Sequence, residues 1–486
     1  MITQRNPDFL PIDFLIVGGA ISGLTSAIAL SRVGHRVTVL DDSDSFDKTP
    51  LAAGARIPPN ASKVFYRWGM EKRLRDVAVR SQGVLFAQYD SGSVVGSHEW
   101  EEEVLEETGG DFLLIHGLSS HTLSGAKYAD LRRILAESAR EHGADLRTNC
   151  LVVDIHPDAE RPYLTLSTGE VLTADVIVGA DGCHVPQYHV RRSIMKALHQ
   201  PETETPMGLQ LFNVIVPEAA LGKLNDPEML RQLRENGKVF SWFGSSYGAL
   251  GFPIKEPETG GKLFTLFVYV TRVDKDITPG SADKEQLLEW LTGCDPRLVT
   301  LAQESVKVIC IPMVERPFLE EWVHPQGRVI AIGEAAHPIS AGSLYAAGMA
   351  TGDSAVLGRL FSHLHSREQI PKFLNAVQEI REGRVQRVIR AATSNVFAVN
   401  LPPGLAATRD RELRKQAEEG VKSLNLLTGG PGSSEEMMEA IEKIFAYDPE
   451  DAADSWWFEW GITQERAARI FDDTPMEMRL RSETPP

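Results

Sequence analysis

The amino-acid sequence predicts an α/β fold, and three stretches carry that prediction. They are DFLIVGG (Asp13–Gly19), DVIVGADG (Asp175–Gly182) and GRVIAIGEAAHP (Gly327–Pro338). Each is a short, β-branched apolar run closed by glycine and small residues. That pattern reads as a buried strand opening into a turn.

The first run continues into a helix and a second strand. In ISGLTSAIALSRVG, Leu24, Ile28 and Ser31 or Arg32 fall on successive helical turns, and Gly34 stands where a C-cap glycine belongs. HRVTVLDD follows as a strand with Val37, Val39 and Leu40 as its core. This is a βαβ unit of the size that opens a dinucleotide-binding domain. Its turn reads Gly18-Gly19-Ala20-Ile21-Ser22-Gly23. The fingerprint G-x-G-x-x-G wants glycine first for a tight turn, third for close approach of a pyrophosphate, and sixth for helix–strand packing. Gly18 and Gly23 comply. Ala20 holds the third place, where its methyl is expected to crowd a pyrophosphate. Asp41 closes the second strand, followed by Asp42, and a carboxylate there accepts hydrogen bonds from a ribose and disfavours a 2′-phosphate.

Bulk composition bounds the rest. A chain of 486 residues is long enough for two or three packed units. Fifty basic and 67 acidic residues give a net charge of −17, which argues against a nucleic-acid binder. The four cysteines, Cys150, Cys183, Cys294 and Cys310, form no C-x-x-C pair. They read as reduced thiols of a cytoplasmic protein, and no zinc-type cluster of cysteine and histidine appears. Phe14–Leu30 is too short and too polar for a membrane span, and Asp8 and Asp13 precede it where a signal peptide would be basic. A soluble protein without a membrane span is expected.

The three motifs, in this order, resemble those of the class A FAD-dependent aromatic monooxygenases of the para-hydroxybenzoate and salicylate hydroxylase type. Further likeness lies in GARIPPNASKVFYRWGM (Gly54–Met70), WFGSSYGALGFPI (Trp242–Ile254) and AYDPEDAADSWW (Ala446–Trp457), the last in the form of the fungal branch. The resemblance implies a discontinuous Rossmann-like FAD-binding domain, an inserted β-sheet substrate domain and a C-terminal helical region. The expected boundaries are 1–195 for the first part of the FAD-binding domain (with 76–100 contributing to the substrate domain), 196–304 for the substrate domain, 305–394 for the second part, and 395–486 for the helices. Strand patterns in GLQLFNVIVP, KVFSWFG, GALGFPI and KLFTLFVYVTRV agree with the inserted sheet.

Carried onto this sequence, the resemblance implies FAD contacts at Gly18, Ala20, Gly23, Asp41, Asp42, Gly54, Arg56, Tyr128, Asp181, Gly333, Glu334, Pro338, Ala347 and Gly348. Glu334 stands for the family's aspartate, and Arg56 for its flavin-side glutamine. Tyr128 takes the slot of a family arginine, after an inserted GLSSHTLSGAKY (Gly117–Tyr128). Ala341 falls where the family has a second proline, and Ala346-Ala347-Gly348 where it has Gly-Ala-Asn. His337 is expected to be structural.

The implied reaction uses NADPH or NADH as a transient co-substrate and dioxygen to hydroxylate a small phenolic ring, with decarboxylative ipso hydroxylation of a hydroxybenzoate as one form. Arg56, Tyr247 and Gln210 are the candidate substrate-side residues, and no metal is expected. Trp242 reads as core or pocket wall. The tryptophans at 456, 457 and 460 read first as a packing or homodimer patch and second as a pocket lid. Two alternatives stay open at this point. One is a non-redox flavoprotein cyclase or isomerase, favoured by the altered 341–348 run. The other is a non-catalytic flavin-fold binding protein.

Overall fold

The computed structural model describes residues 9–46, 53–100, 102–118, 120–121, 127–128, 130–182, 191–200, 203–235, 237–245, 247–256, 261–271, 280–399, 401–419 and 442–463. Cys183 and the rest of 183–190 lie outside the described residues, as do residues 119 and 122–126 of the 117–128 stretch. Residues 120–121 and 127–128 pair as a small antiparallel hairpin within the expected insertion.

The predicted βαβ unit folds as read. Strand β1 (Asp13–Val17) leads into helix α1 (Ile21–Val33), and Gly34 closes it in the left-handed region at φ 109°. Strand β2 (Arg36–Leu40) then pairs in parallel with β1. Strand β3 (Ala53–Ile57) and helix α2 (Pro59–Arg67) come next, the helix started by prolines at 58 and 59. Strand β4 (Leu113–Leu118) lies antiparallel to β3 and precedes helix α3 (Asp130–Glu141). Strands β5 (Asp145–Arg147) and β6 (Val176–Gly179) return to the first sheet.

The second sheet takes β7 (Thr205–Pro217), β8 (Val239–Phe243), β9 (Tyr247–Lys255), β10 (Lys262–Thr271) and β11 (Lys307–Glu315). Strand β12 (Val329–Ala331) completes the first sheet, in the parallel order β5-β2-β1-β6-β12. Helices α4 (Ala346–Phe361), α5 (Ile370–Val399) and α6 (Pro403–Glu418) follow.

The second sheet has eight strands, in the order Gly280–Ser281, β11, β7, β10, β9, β8, Gly83–Gln88 and Val94–Glu99. Residues 83–88 and 94–99 are thus strands of this sheet. The boundary at 304/305 needs correction, because β11 bonds along β7 from Lys307 to Glu315. Its alternating apolar residues serve both faces of the large sheet, so the chain returns to the nucleotide-binding domain only after Glu315.

Side-chain parity divides the large sheet into two faces. Phe212, Val214 and Val216 of β7 pack with Trp242 against the helices Lys284–Trp290 and Pro296–Gln303. Leu209, Leu211 and Ile215 point the other way, with Phe252 and Phe267, toward Leu114 of β4 and Ala341. This second face meets the nucleotide-binding domain.

Helices α1 and α4 cross on small residues, with Gly358 against Ala29. Ser354 bonds Thr25 at 2.8 Å and Ser26 at 2.9 Å. Below them, the loop of the third motif is tied down by one buried carboxylate. Asp353 on α4 accepts from Gly333 N at 2.8 Å and bonds His337 Nε2 at 2.6 Å, and its other oxygen accepts from Arg381 Nε of α5 at 2.8 Å. His337 is structural in this arrangement, as expected.

At the C-terminal end, Trp457 is buried and stacks on His363, while Phe458 and Trp460 are exposed. The segment is held by ion pairs from Asp454 to Arg359 and from Asp448 to Arg67. Among the described residues no helix is long and apolar enough to cross a membrane, and no cluster of metal-ligating side chains occurs.

Burial opposes the charge on Asp353, yet His337 and Arg381 outweigh it and hold the carboxyl at about 2. Removing that charge strands Arg381, which is fully buried. Asp353→Asn is expected to lower stability by about 3–5 kcal/mol in denaturant unfolding. The carboxyl is depressed below its ordinary 3.8, so its contribution is present above that pH and is lost as pH falls toward about 2. The variant's acid-unfolding curve should lack this component.

Candidate flavin and substrate site

The turn after β1 is built from positions that leave no room for a side chain. A methyl on Gly18 would sit 2.6 Å from Ala180 O and from Asp181 Cα, and the residue is at φ 102°. A methyl on Gly19 would lie 2.4 Å from the Phe46 ring and 2.8 Å from Asp41 Oδ2, and one on Gly23 would be 1.8 Å from Gly18 O. Gly18 thus lets the GADG strand end close on the first turn, and Gly23 lets α1 start against it. Ala20 is the exposed N-cap of α1, so its methyl projects outward from the turn. The position that must lack a side chain against the fold is Gly19.

Asp41 is buried where β2 ends. Its Oδ2 accepts from Gly19 N at 2.6 Å, and its Oδ1 accepts from Ser43 N at 3.0 Å, from the Ser43 hydroxyl and from Arg132 at 2.8 Å. Burial alone would raise its pKa, but Arg132, Ser43 and the Gly19 N–H together hold it below the ordinary carboxylate value. Asp42 is exposed beside it.

Sequence reasoning missed Arg132. From the first turn of α3 it also donates to Gly19 O at 2.8 Å and to Ser45 O at 3.2 Å, and its guanidinium lies 5.1 Å from the centre of the Phe46 ring. One side chain thereby joins the fingerprint turn, the end of β2 and the segment after it. The clue was present: the family's arginine slot holds Tyr128, and an arginine stands four residues later. The Tyr128 side chain lies outside the described residues.

The third motif is in contact with the first. Gly333 is left-handed at φ 60°, and a methyl on it would lie 1.9 Å from Ser22 Oγ at the start of α1. Glu334, partly buried, sits in the 3-10 turn Gly333–Ala335, and Pro338 is buried just after it. Ala347 and Gly348 form the first turn of α4, both buried. A methyl on Gly348 would lie 2.7 Å from the Asn60 amide. Asn60 Oδ1 is buried with no hydrogen-bond partner among the described residues.

Two helix starts are therefore set in place here: α1, which Gly333 of the third motif meets at Ser22, and α4, with the buried Asn60 acceptor beside it. Helix N-termini suit phosphate and electron-rich ring edges. The orphaned Asn60 oxygen needs a donor, which a flavin's pyrimidine edge offers. The residues present fit FAD.

A family model described as FAD binding domain matches residues 12–288. The chain belongs to the class A FAD-dependent aromatic monooxygenases. It is 27% identical over 416 residues to the FAD-dependent monooxygenase OpS4 of Beauveria bassiana, covering 84% of this chain and 91% of that protein. It is 25% identical over 384 residues to 3-hydroxybenzoate 6-hydroxylase of Klebsiella oxytoca, covering 76% and 88% respectively. A solved salicylate hydroxylase substrate complex superposes with a TM-score of 0.68 at 20% identity, covering 91% of this chain and 97% of that one. FAD is the cofactor of this monooxygenase. With that, the non-redox and binding-only alternatives fall away.

Gly54 and Arg56 lie against the inward face of the large sheet. A methyl on Gly54 would meet Thr265 at 2.4 Å and Phe252 at 2.8 Å. Arg56 donates to Gly342 O at 2.5 Å and lies 5.9 Å from the centre of the Phe252 ring. Burial lowers its pKa, opposed by the neighbouring Tyr269 and Tyr345. Burial raises the Tyr269 hydroxyl, opposed by Arg56.

Gln210 and Tyr247, the other candidates, do not share the face of Arg56. Both point to the opposite face of the sheet. Gln210 Oε1 lies 3.9 Å from Cys310 Sγ, and Tyr247 stacks on Tyr89 at 6.0 Å. Strand parity is the reason: with Leu211 and Phe252 inward, Gln210 and Tyr247 must face outward. Trp242 is buried on that far face and donates to Asp295 at 2.8 Å, as a core residue.

Gly23→Ala is expected to yield protein with little bound flavin, whereas Ala20→Gly should keep the flavin-to-protein absorbance ratio of the parent. Arg132→Ala should raise the FAD dissociation constant by about ten-fold or more, a loss of ~1.4 kcal/mol, read by flavin fluorescence during reconstitution.

Proposed function

We propose that this monooxygenase hydroxylates a phenolic ring carrying a carboxylate, consuming NAD(P)H and dioxygen, with Arg56 as the counter-ion of the carboxylate. The observation that carries the reading is the position of Arg56. It is a desolvated cation fixed by the Gly342 carbonyl, set over an aromatic ring and beside two buried tyrosines, where the large sheet meets the start of α4. A cation stripped of water gains most from an anionic partner. Relatives support the same class: their names are 3-hydroxybenzoate 6-hydroxylase and 6-hydroxynicotinate 3-monooxygenase, each a hydroxylated aromatic acid.

Gly18, Gly23, the start of α1 and Asp41 would hold the adenosine and pyrophosphate end of FAD. Gly333, Glu334, Pro338, Ala347, Gly348 and Asn60 would hold its flavin end. Bound FAD would supply the activation of dioxygen by electrons taken from NAD(P)H. The chain's own part is placement and dryness. Arg56 would orient the ring through its carboxylate. Phe252 and Phe267, edge to face at 5.7 Å, would give the ring an apolar floor. Tyr269, kept protonated by burial, would donate a hydrogen bond to a phenol or phenolate oxygen. One oxygen atom of dioxygen enters the ring, the other leaves as water, and NAD(P)H provides the two electrons. If the attacked carbon bears the carboxylate, carbon dioxide leaves in place of a proton.

The direct test is NADPH or NADH consumption with a panel of hydroxybenzoates, followed by product mass. A substrate-stimulated rate with one oxygen gained, with or without loss of carbon dioxide, supports the reading. No stimulation by any hydroxybenzoate would sink it. Arg56→Leu should raise KM for the accepted acid by about ten- to hundred-fold, as expected for a charged hydrogen bond of ~1.5–3 kcal/mol. KM for the matching phenol without a carboxylate should barely move.

A further inference from the structure

The inward face of the large sheet carries buried polar atoms that the proposed chemistry leaves unused. Strand register sets three rows of side chains there. Leu211 pairs with Tyr269, Asn213 with Phe267, and Ile215 with Thr265, while Thr265 pairs in turn with Phe252. Asn213 and Thr265 are therefore diagonal neighbours across the β7–β10 ladder, with Phe267 between Thr265 and Tyr269 along β10. Asn213 is 2% exposed and Thr265 is fully buried. Asn213 Oδ1 and Thr265 Oγ1 have no hydrogen-bond partner among the described residues.

A buried acceptor left unpaired costs about 1–3 kcal/mol, and two such atoms at diagonal positions on one apolar face need a cause. Asn213 pairs with Phe267 and Thr265 with Phe252, two rings that meet edge to face, and Arg56 lies over the Phe252 ring. Neither supports the sheet, whose ladder is complete through backbone bonds on both sides of β7. Their neighbours on the same face, Leu211, Ile215 and Phe267, are apolar.

We infer that Asn213 and Thr265 form a subsite for a second hydroxyl (or amino) group on the substrate ring, distinct from the phenol that Tyr269 would meet. Asn213 Oδ1 is an acceptor and requires a donor, and the Thr265 hydroxyl accepts or donates. The substrate class is then a dihydroxylated or aminohydroxylated aromatic acid. This rests on the reading of the inward face as the substrate side, and it concerns binding selectivity alone.

The test measures binding. The FAD-loaded protein is titrated with each dihydroxybenzoate and with the matching monohydroxybenzoates, following the perturbation of the flavin absorbance spectrum. At least one dihydroxybenzoate should bind about ten-fold or more tightly than its monohydroxy parent. Asn213→Leu and Thr265→Val, which keep the shape, should each reduce that preference, leaving affinity for the monohydroxy parent and the flavin content unchanged. If the wild-type protein shows no preference for any dihydroxy ring, the subsite is refuted. It is equally refuted if both variants keep the preference. Turnover is read separately: a preference without NAD(P)H oxidation would overturn the proposed reaction and leave the subsite standing.

Discussion

The architecture of the site depends on one buried carboxylate. Asp353 is wholly enclosed, and an isolated charge there would not be tolerated. It survives because Arg381 from the next helix and His337 and Gly333 from the preceding loop all satisfy it. Those bonds fix the third motif against α4, and α4 against α5. Because Gly333 also touches Ser22, the same carboxylate sets where the third motif meets the fingerprint helix. Break it, and the two helix starts that would flank the cofactor lose their common reference.

The fingerprint was legible because its demands are steric and local. Gly18 and Gly23 each stand where a methyl would collide with backbone, so their identities announced the turn. In this turn the crowded inner position belongs to Gly19, while Ala20 caps the helix from outside. Arg132 was less legible for a related reason. Its partners, Gly19, Asp41, Ser43 and Ser45, lie 87 to 113 residues earlier, and no local pattern reports such a meeting.

The large sheet shows what sequence alone withholds. Its strands were recognisable from β-branched and aromatic runs, but which parity faces the cofactor domain was not. Both faces are apolar, so alternation offers no contrast between core and solvent. Gln210 and Tyr247 drew notice as isolated polar groups, yet parity sends them to the far core. Asn213, Thr265 and Tyr269 are the polar members of the inward set, and only the register across β7, β10 and β9 reveals them together. The same difficulty explains the boundary at β11, whose apolar residues serve both faces of the large sheet.

Polar atoms in this protein sort by what they hold. Asp353 and Asp41 are fully engaged by protein donors, and each joins segments far apart in sequence. The unsatisfied atoms of Asn60, Asn213 and Thr265 are held by rigid elements, two strands and a helix, that leave them little freedom to find protein partners. Asp353 and Asp41 thus build the frame, and the proposed sites draw on three buried oxygens that have no protein donor among the described residues. Arg56 belongs to both sets. One guanidinium nitrogen is tied to Gly342, which fixes its aim, and the cation so aimed is the group on the inward face whose charge a bound anion would complete.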